Sequence, residues 1–534
     1  MATPPPSATA TAEPTPTAEP VHQAELQLPV GPAGVLPYAD APTRALGTSQ
    51  TYYASAPVAV VAPVDDVAAQ VRGAAVAVAL GAPMLLSGVP TTDEATEAEL
   101  TRLGVLAVVT VGAVELATGD VPVLEASPDD AELASQLRVA WTPAPLPAAG
   151  AELAAVQSLD RAAPTLPTAA AVPAEDADAA ESDSLPLTEL PEALVGGLLL
   201  TTGDPADLAS VATARSAGVP VLTVPSGDPR ADSAVVQAFA ASAPTNVTGL
   251  GVAFGDADTL ASTSATAATG VELPGGGQLV LNGRRYVAMY GTPAVPALGI
   301  LGEQDLPASI ARAQGLAASY QALTTDVVVP AFEIIATVAS AGAGGDGNYS
   351  NELPVESFIP WVEAAAAAGV YVVIDLQPGR TDFVTQAQLY EPLLRYPNVG
   401  LALDPEWRLL PDQVHLRQIG SVGVDEVNAV AAYLAQLTRT HALPQKLFVL
   451  HQFKHSMVQG REGVTMGHPE LAVMVHVDGQ GGQGAKAGTW ASLQQGAPAG
   501  VAWGWKNFID EDVPMLTPEQ TYTVTPLPHF VSYQ

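Results

Sequence analysis

The chain contains no cysteine. That excludes disulfides, thiolate metal ligands and thiol nucleophiles together. Cations are also scarce: 20 Lys and Arg stand against 55 Asp and Glu, a formal charge of −35. A nucleic-acid binder needs a basic footprint, and no Lys/Arg cluster is present, so no nucleic-acid partner is expected. Long hydrophobic runs are missing as well. None approaches the ~18 residues that span a membrane, and stretches such as A-L-V-G-G-L-L-L at 193–200 have strand length. No signal-peptide pattern is present. Residues 1–30 open instead on a Pro/Thr/Ala/Glu tract without apolar period, which predicts a disordered linker. Such a spacer is what remains behind a removed secretion or lipid-anchor signal, so a secreted or cell-surface location is expected. A tail on a cytosolic protein would have the same composition.

With 534 residues, 48% of them hydrophobic, the chain is long enough for two or three domains. Two segments look like copies of one unit. The first begins V-A-V-V-A-P-V-D-D at residue 58 and ends L-G-V-L-A-V-V-T-V-G at 112; the second begins L-L-L-T-T-G-D-P-A-D at 198 and ends V-T-G-L-G-V-A-F-G at 255. Each reads strand, helix, Gly-X-Pro turn, strand, helix, strand. Continuous apolar runs alternating with helical patterns indicate parallel strands covered by helices. A pair of Rossmann-like βαβαβ repeat units over 31–270 is therefore expected, with the Pro/Ala/Asp/Glu-rich stretch 142–192 looping out. Acid rather than glycine follows the first strands, in A-P-V-D-D and T-G-D-P-A-D, which opposes a phosphate at the helix N-terminus. No nucleotide cofactor is expected. Over roughly residues 50–260 the units resemble the type 2 cell-wall-binding repeats of Gram-positive surface proteins. The resemblance lies in the Ala-rich helix, in G-A-P-M-L-L or G-V-P-V-L-T, and in the closing L-G-V-L-A-V-V-T-V-G. It implies attachment to a cell wall, although the family's D-R-Y element is absent.

From residue 278 the composition changes. Five of the six tryptophans and seven of the eight histidines lie beyond residue 350. Candidate strands at 284–291, 327–335, 370–375, 399–404, 446–451, 471–478 and 500–505 alternate with helical patterns. Seven strands with helical crossovers predict a TIM-like (β/α) barrel of seven or eight strands over 278–534. An open doubly wound sheet is the other architecture this alternation allows.

Active sites of (β/α) barrels form at the C-terminal strand ends. Here those ends carry Tyr290, Glu333, Asp375, Asp404 with Glu406, His451, Asp478, and Trp505 with Lys506. Ionisable groups in a partly desolvated mouth are costly unless paired or used. Asp404 and Glu406, two apart in V-G-L-A-L-D-P-E-W, would share a face of an extended chain, a geometry that Pro405 favours for the residue before it. Neighbouring carboxylates cannot ionise equally easily, so one becomes a protonated acid beside an ionised partner, as glycosidic cleavage requires. The plainer reading is that Asp404 caps the next segment and Glu406 is solvated. Trp407 and Trp505 could offer flat faces to sugar rings. Tyr290, Gln377, Arg380, His451 and Lys506 complete the expected substrate contacts.

H-Q-F-K-H, followed by His468, His476 and Asp478, raises the question of a metal. His451 ends a strand, so helical i,i+4 spacing does not apply, and H-E-x-x-H is absent. No metal and no cofactor are expected. A G-x-S-x-G nucleophile elbow is also absent.

L-A-L-D-P-E-W resembles the D-x-E that ends the fourth strand in glycoside hydrolases of the family 25 muramidase and family 18 chitinase types. The resemblance implies Glu406 as general acid and Asp404 as its electrostatic partner. The chain departs from both: Tyr290 stands where the muramidases have a strand-one acid, and Leu401 and Leu403 stand where the chitinases have further acids. The expected function is a secreted or surface-associated glycoside hydrolase. It would act on a polysaccharide or cell-wall glycan through carboxylates drawn from Glu406, Asp404, Asp375 and Asp478. The alternative is a non-catalytic glycan-binding surface protein with a degenerate barrel.

Overall fold

The structure is a computed structural model and describes residues 20–168 and 185–534. Most of the expected N-terminal linker, to residue 19, and residues 169–184 of the expected insertion lie outside the described residues. The chain forms two compact units: residues up to 225 together with 245–256, and residues 226–244 together with 257–534.

The first unit holds two four-stranded sheets, parallel throughout. One has the order Met84–Ser87, Val58–Pro63, Ala107–Thr110, Val123–Glu125; the other has Val221–Thr223, Gly197–Thr201, Asn246–Leu250, Ala33–Leu36. In both, the first strand of the repeat lies between its second and third. Val58–Pro63 and Gly197–Thr201 are buried at every position, as helix-covered parallel strands must be. The acidic residues after these strands have structural work. Asp66 caps the helix Val67–Leu80 by accepting from the Ala69 amide, and Asp207 is a buried ion-pair partner of Arg44. Within the stretch expected to loop out, the described residues form the parallel strands Thr142–Pro145 and Thr165–Thr168 and the helix Glu152–Gln157. Val156, Leu159 and Leu166 of this stretch are buried in the core of this unit, which outweighs a composition that otherwise reads as loop.

The second unit contains a closed barrel of eight parallel strands. They are β1 (Arg284–Gly291), β2 (Val327–Ala339), β3 (Tyr371–Leu376), β4 (Val399–Leu403), β5 (Lys446–Gln452), β6 (Leu471–Val477), β7 (Ala502–Asn507) and β8 (Phe530–Tyr533). β1 pairs with both β2 and β8, which closes the sheet. The open doubly wound alternative is thereby set aside. β8, four residues in F-V-S-Y, is the strand the sequence pattern did not reveal.

Side chains alternate across each strand. One set, including Tyr286, Ala288, Val329, Tyr371, Val373, Ala402, Val449 and Met474, forms an apolar cluster of its own. The other set, including Val287, Phe332, Val372, Leu401, Phe448, Trp503 and Trp505, packs with helix residues such as Val362, Leu434 and Trp490. The first cluster is the barrel interior. Continuing its rows towards the C-terminal ends brings Tyr290, Glu333, Asp375, Asp404, His451, His476, Lys506 and Ser532 to one place. Among the described residues no helix is long and apolar enough to cross a membrane.

Candidate active site

The polar layer is built around one imidazole. His451 Nε2 lies 2.9 Å from Glu333 Oε1, and its Nδ1 lies 3.2 Å from Asp478 Oδ2. Asp375 Oδ1 is 3.9 Å from the same Nε2, while Asp375 Oδ2 accepts a 2.8 Å hydrogen bond from the Tyr290 hydroxyl. Lys506 Nζ sits over the Tyr290 ring, 3.5 Å from its centre. His476 stands edge-on to His451 with ring centres 4.8 Å apart, and its Nε2 lies 3.2 Å from Ser532 Oγ. Gly504 makes room for that ring: a Cβ there would fall 2.5 Å from His476 Cδ2. Glu333, Asp375, His451 and His476 are fully buried.

Burial alone would neutralise all of these groups; their neighbours decide which stay charged. Burial pushes Glu333 up, but the His451 charge, helped by His476 and Lys506, overrides it and holds the carboxyl at about 2. Burial pushes His451 down, and Glu333, Asp478 and Asp375 raise it well above the ordinary imidazole value. Asp478 is drawn below the usual carboxylate range by His451 despite its burial. Asp375 is raised by burial to about 6, with Glu333 adding to the rise and His451 opposing it. Burial, then Glu406 and Asp375, lift Asp404 well above its ordinary value. Burial, then Asp478, lifts Glu406 to about 7 against the pull of Lys506 and His451. Burial takes His476 down to about 3. The layer thus combines ionised Glu333 and Asp478, a charged His451, and three carboxyls biased towards their protonated forms.

Asp404 and Glu406 reach this layer by a turn rather than by the extended run that i,i+2 spacing suggested. Asp404, at φ −109° and ψ 86°, follows the strand, and Pro405–Trp407 is a single 3₁₀ turn. The fixed φ of proline suits the first position of a helical turn, so Pro405 ends the strand instead of prolonging it. Asp404 is buried, whereas Glu406 and Trp407 are half-buried. Both line a cavity of about 310 Å³ with His415, Leu416, Arg417, Gln418 and Ile419. Trp407 meets the His415 ring at 5.3 Å, and Leu416 and Ile419 are exposed beside it.

This loop is packed hard against the turn. The Gly420 amide donates to the Glu406 carbonyl at 2.7 Å. A Cβ on Gly420 would fall 2.4 Å from that oxygen, 2.5 Å from the Arg408 carbonyl and 2.6 Å from the Pro405 carbonyl. Gly420→Ala is therefore expected to displace the Glu406 turn and to cost about 1–3 kcal/mol, as overpacking does. Denaturant unfolding measures the cost. A midpoint equal to wild type would show that the loop yields freely.

Three residues expected to meet substrate are engaged elsewhere. Trp505 faces outward by the alternation that turns Lys506 inward; it is buried, donates from Nε1 to Asn507 Oδ1, and packs 5.4 Å from Trp490. Gln377 accepts the Ala339 amide through Oε1 at 2.9 Å, so its side chain closes the end of β2. Arg380 donates to the Gln413 carbonyl at 2.8 Å and lies over the Tyr349 ring. His415 Nε2 is also 2.9 Å from the Tyr349 carbonyl, so Tyr349, at a left-handed φ of 62°, ties together the loops after β2, β3 and β4. Tyr290, His451 and Lys506 do lie in the polar layer, as do Asp375, Asp404 and Asp478, while Glu406 and Trp407 line the cavity with the 415–419 loop.

Three members of the layer, Glu333, His476 and Ser532, are not among the expected site residues. Glu333 stood among the strand-end acids but was not singled out. Helical spacing does not reveal His476, which lies on a strand. The signal that finds it is parallel register: His451 and His476 are direct partners on β5 and β6.

No protein-family model matches the chain, and no curated protein matches it. Among solved structures, Cwp6 from Clostridium difficile is similar with a TM-score of 0.32 and 12% sequence identity, over 79% of this chain and 63% of that one. The chain thus spans less than two thirds of that protein's length, and the likeness is too slight to bear on function.

Proposed function

We propose that the barrel is a glycoside hydrolase in which Glu406 is the general acid. The observation that carries this reading is the position of Glu406: a half-buried carboxyl at the end of β4, lining a cavity with Trp407, next to a layer of buried carboxylates. Its elevation to about 7 supports the role, because an acid catalyst must hold its proton near the operating pH. Asp478 is the ionised counterpart. It is depressed where Glu406 is raised, and its Oδ1 has no hydrogen-bond partner among the described residues. Asp404 is biased towards its protonated form by burial, and the charge of Asp375, which lies at about 6, adds to the elevation of Glu406. Trp407, with the exposed Leu416 and Ile419, gives an apolar flank against which a sugar ring can lie. A secreted or cell-surface setting and a glycan partner go with this reading, supported by the likeness of the N-terminal units to cell-wall-binding repeats.

The test is a pH–rate profile. Glu406 must be protonated to work, so the rate is expected to fall as pH rises through about 7, roughly tenfold per unit beyond it. The groups that set this limb are Asp478, Lys506, His451 and Asp375. A rate that stays level to pH 9 would remove Glu406 from the role.

A further inference from the structure

The glycosidase reading gives Glu333 and His476 no role and uses His451 only through its charge on Glu406 and Asp478, yet the three together have a chemistry of their own. One donor atom from each lies within 4.8 Å of the others. Glu333 Oε1 is 2.9 Å from His451 Nε2 and 3.9 Å from His476 Nδ1. Atoms this close surround a point within a few tenths of an ångström of the ~2.0–2.2 Å bonds that zinc makes to imidazole nitrogen and carboxylate oxygen.

Each imidazole is also held from behind. His451 has Asp478 on its Nδ1, and His476 has Ser532 on its Nε2. This leaves His451 Nε2 and His476 Nδ1 turned towards the same carboxylate. Metal-ligating histidines are held in this way, with the far ring nitrogen donating to a carboxylate or other oxygen that fixes tautomer and ring plane. A second observation is independent of the spacing. His476 Nδ1 and Glu333 Oε2 are fully buried and have no hydrogen-bond partner among the described residues, and Asp375 Oδ1 beside them has none either. Buried polar atoms left unsatisfied are costly, and a ligand bound between these side chains would account for them.

We propose that Glu333, His451 and His476 bind a divalent first-row transition ion, with Asp375 beside them as the reserve oxygen donor. Two imidazole nitrogens with carboxylate oxygen favour zinc, cobalt or nickel over calcium and magnesium, which take oxygen alone. Binding replaces the proton on His451 Nε2, while Nδ1 keeps its proton and donates it to Asp478, so one proton is released from that ring per ion bound. The ion ties β2, β5 and β6 together beneath the mouth. This inference does not depend on Glu406.

The experiment is metal uptake by the full chain, produced without a polyhistidine tag in medium supplemented with zinc or cobalt. One equivalent of metal by mass spectrometry is expected, with visible d–d bands for the cobalt form. In His476→Asn that equivalent is expected to fall at least tenfold, with circular dichroism reporting the fold. Ser532→Ala keeps every ligand but frees the His476 ring, so its affinity is expected to drop 10–100-fold; it serves as the test if His476→Asn does not fold. Less than a tenth of an equivalent in wild type, or equal loading in wild type and both variants, would overturn the proposal.

Discussion

Glu406→Gln is expected to lower the rate of glycosidic cleavage by on the order of 10²–10⁴-fold, the range a positioned general acid supplies. Glutamine matches the shape of glutamate and cannot give up a proton to the leaving oxygen. Burial, with Asp478 adding to it, raises the pKa of Glu406 to about 7, so the native carboxyl is largely uncharged below that pH. An uncharged amide in the same place should therefore leave the thermal midpoint almost unchanged and leave binding to the Trp407 side of the cavity intact. Loss of turnover with retained glycan binding separates a chemical role from a structural one. A substrate with an activated aryl leaving group should recover much of the loss, because it departs without protonation.

His451→Leu is expected to have the largest effect on stability, a loss of about 3–5 kcal/mol, the range for stripping one partner from a buried charge pair. His451 is the cation between Glu333 and Asp478, and both carboxylates are inside the barrel. The sign of the pH dependence follows from Glu333. Its folded value of about 2 lies below its ordinary 4.5, so its stabilisation by His451 is complete above 4.5 and is lost as pH falls towards 2. His451 itself is raised above its ordinary 6.5, so its own contribution is complete below 6.5 and declines as pH rises beyond it. The gap between wild type and His451→Leu should accordingly be widest between 4.5 and 6.5 and narrow in stronger acid. Denaturant titrations at about pH 5.5 and about pH 3 read this. A double variant, His451→Leu with Glu333→Leu, should lose less than the two single losses added, because it removes a charge together with its partner. Additive losses would mean that the two residues do not act as a pair.

Much of this barrel is legible in the chain because its strands obey a two-residue alternation that composition makes visible. V-G-L-A-L-D at 399–404 and L-F-V-L-H at 447–451 are apolar up to a single ionisable residue, and in both the ionisable residue falls on the inward row. The same alternation, carried one residue further, would have turned Trp505 outward and Lys506 inward. β8 escaped because F-V-S-Y is short and ends near the C-terminus, with only Phe530 and Ser532 facing inward. His476 escaped because its relation to His451 is set by strand register, and register arises only when the barrel closes. The Asp404–Glu406 pair shows the opposite case. The residues were found on the expectation of an extended chain, while the turn at Pro405 is what brings Glu406 to the cavity.

The central claim is that the barrel cleaves glycosidic bonds through Glu406. Its most direct test is product analysis by mass spectrometry. The full chain and Glu406→Gln would be incubated in parallel with peptidoglycan glycan strands and a panel of plant and bacterial polysaccharides. The account predicts new reducing-end fragments from at least one substrate with wild type and on the order of 10²-fold less or lower with Glu406→Gln. Fragments released equally by both proteins, or a wild type that retains glycan on an array and releases none, would contradict it.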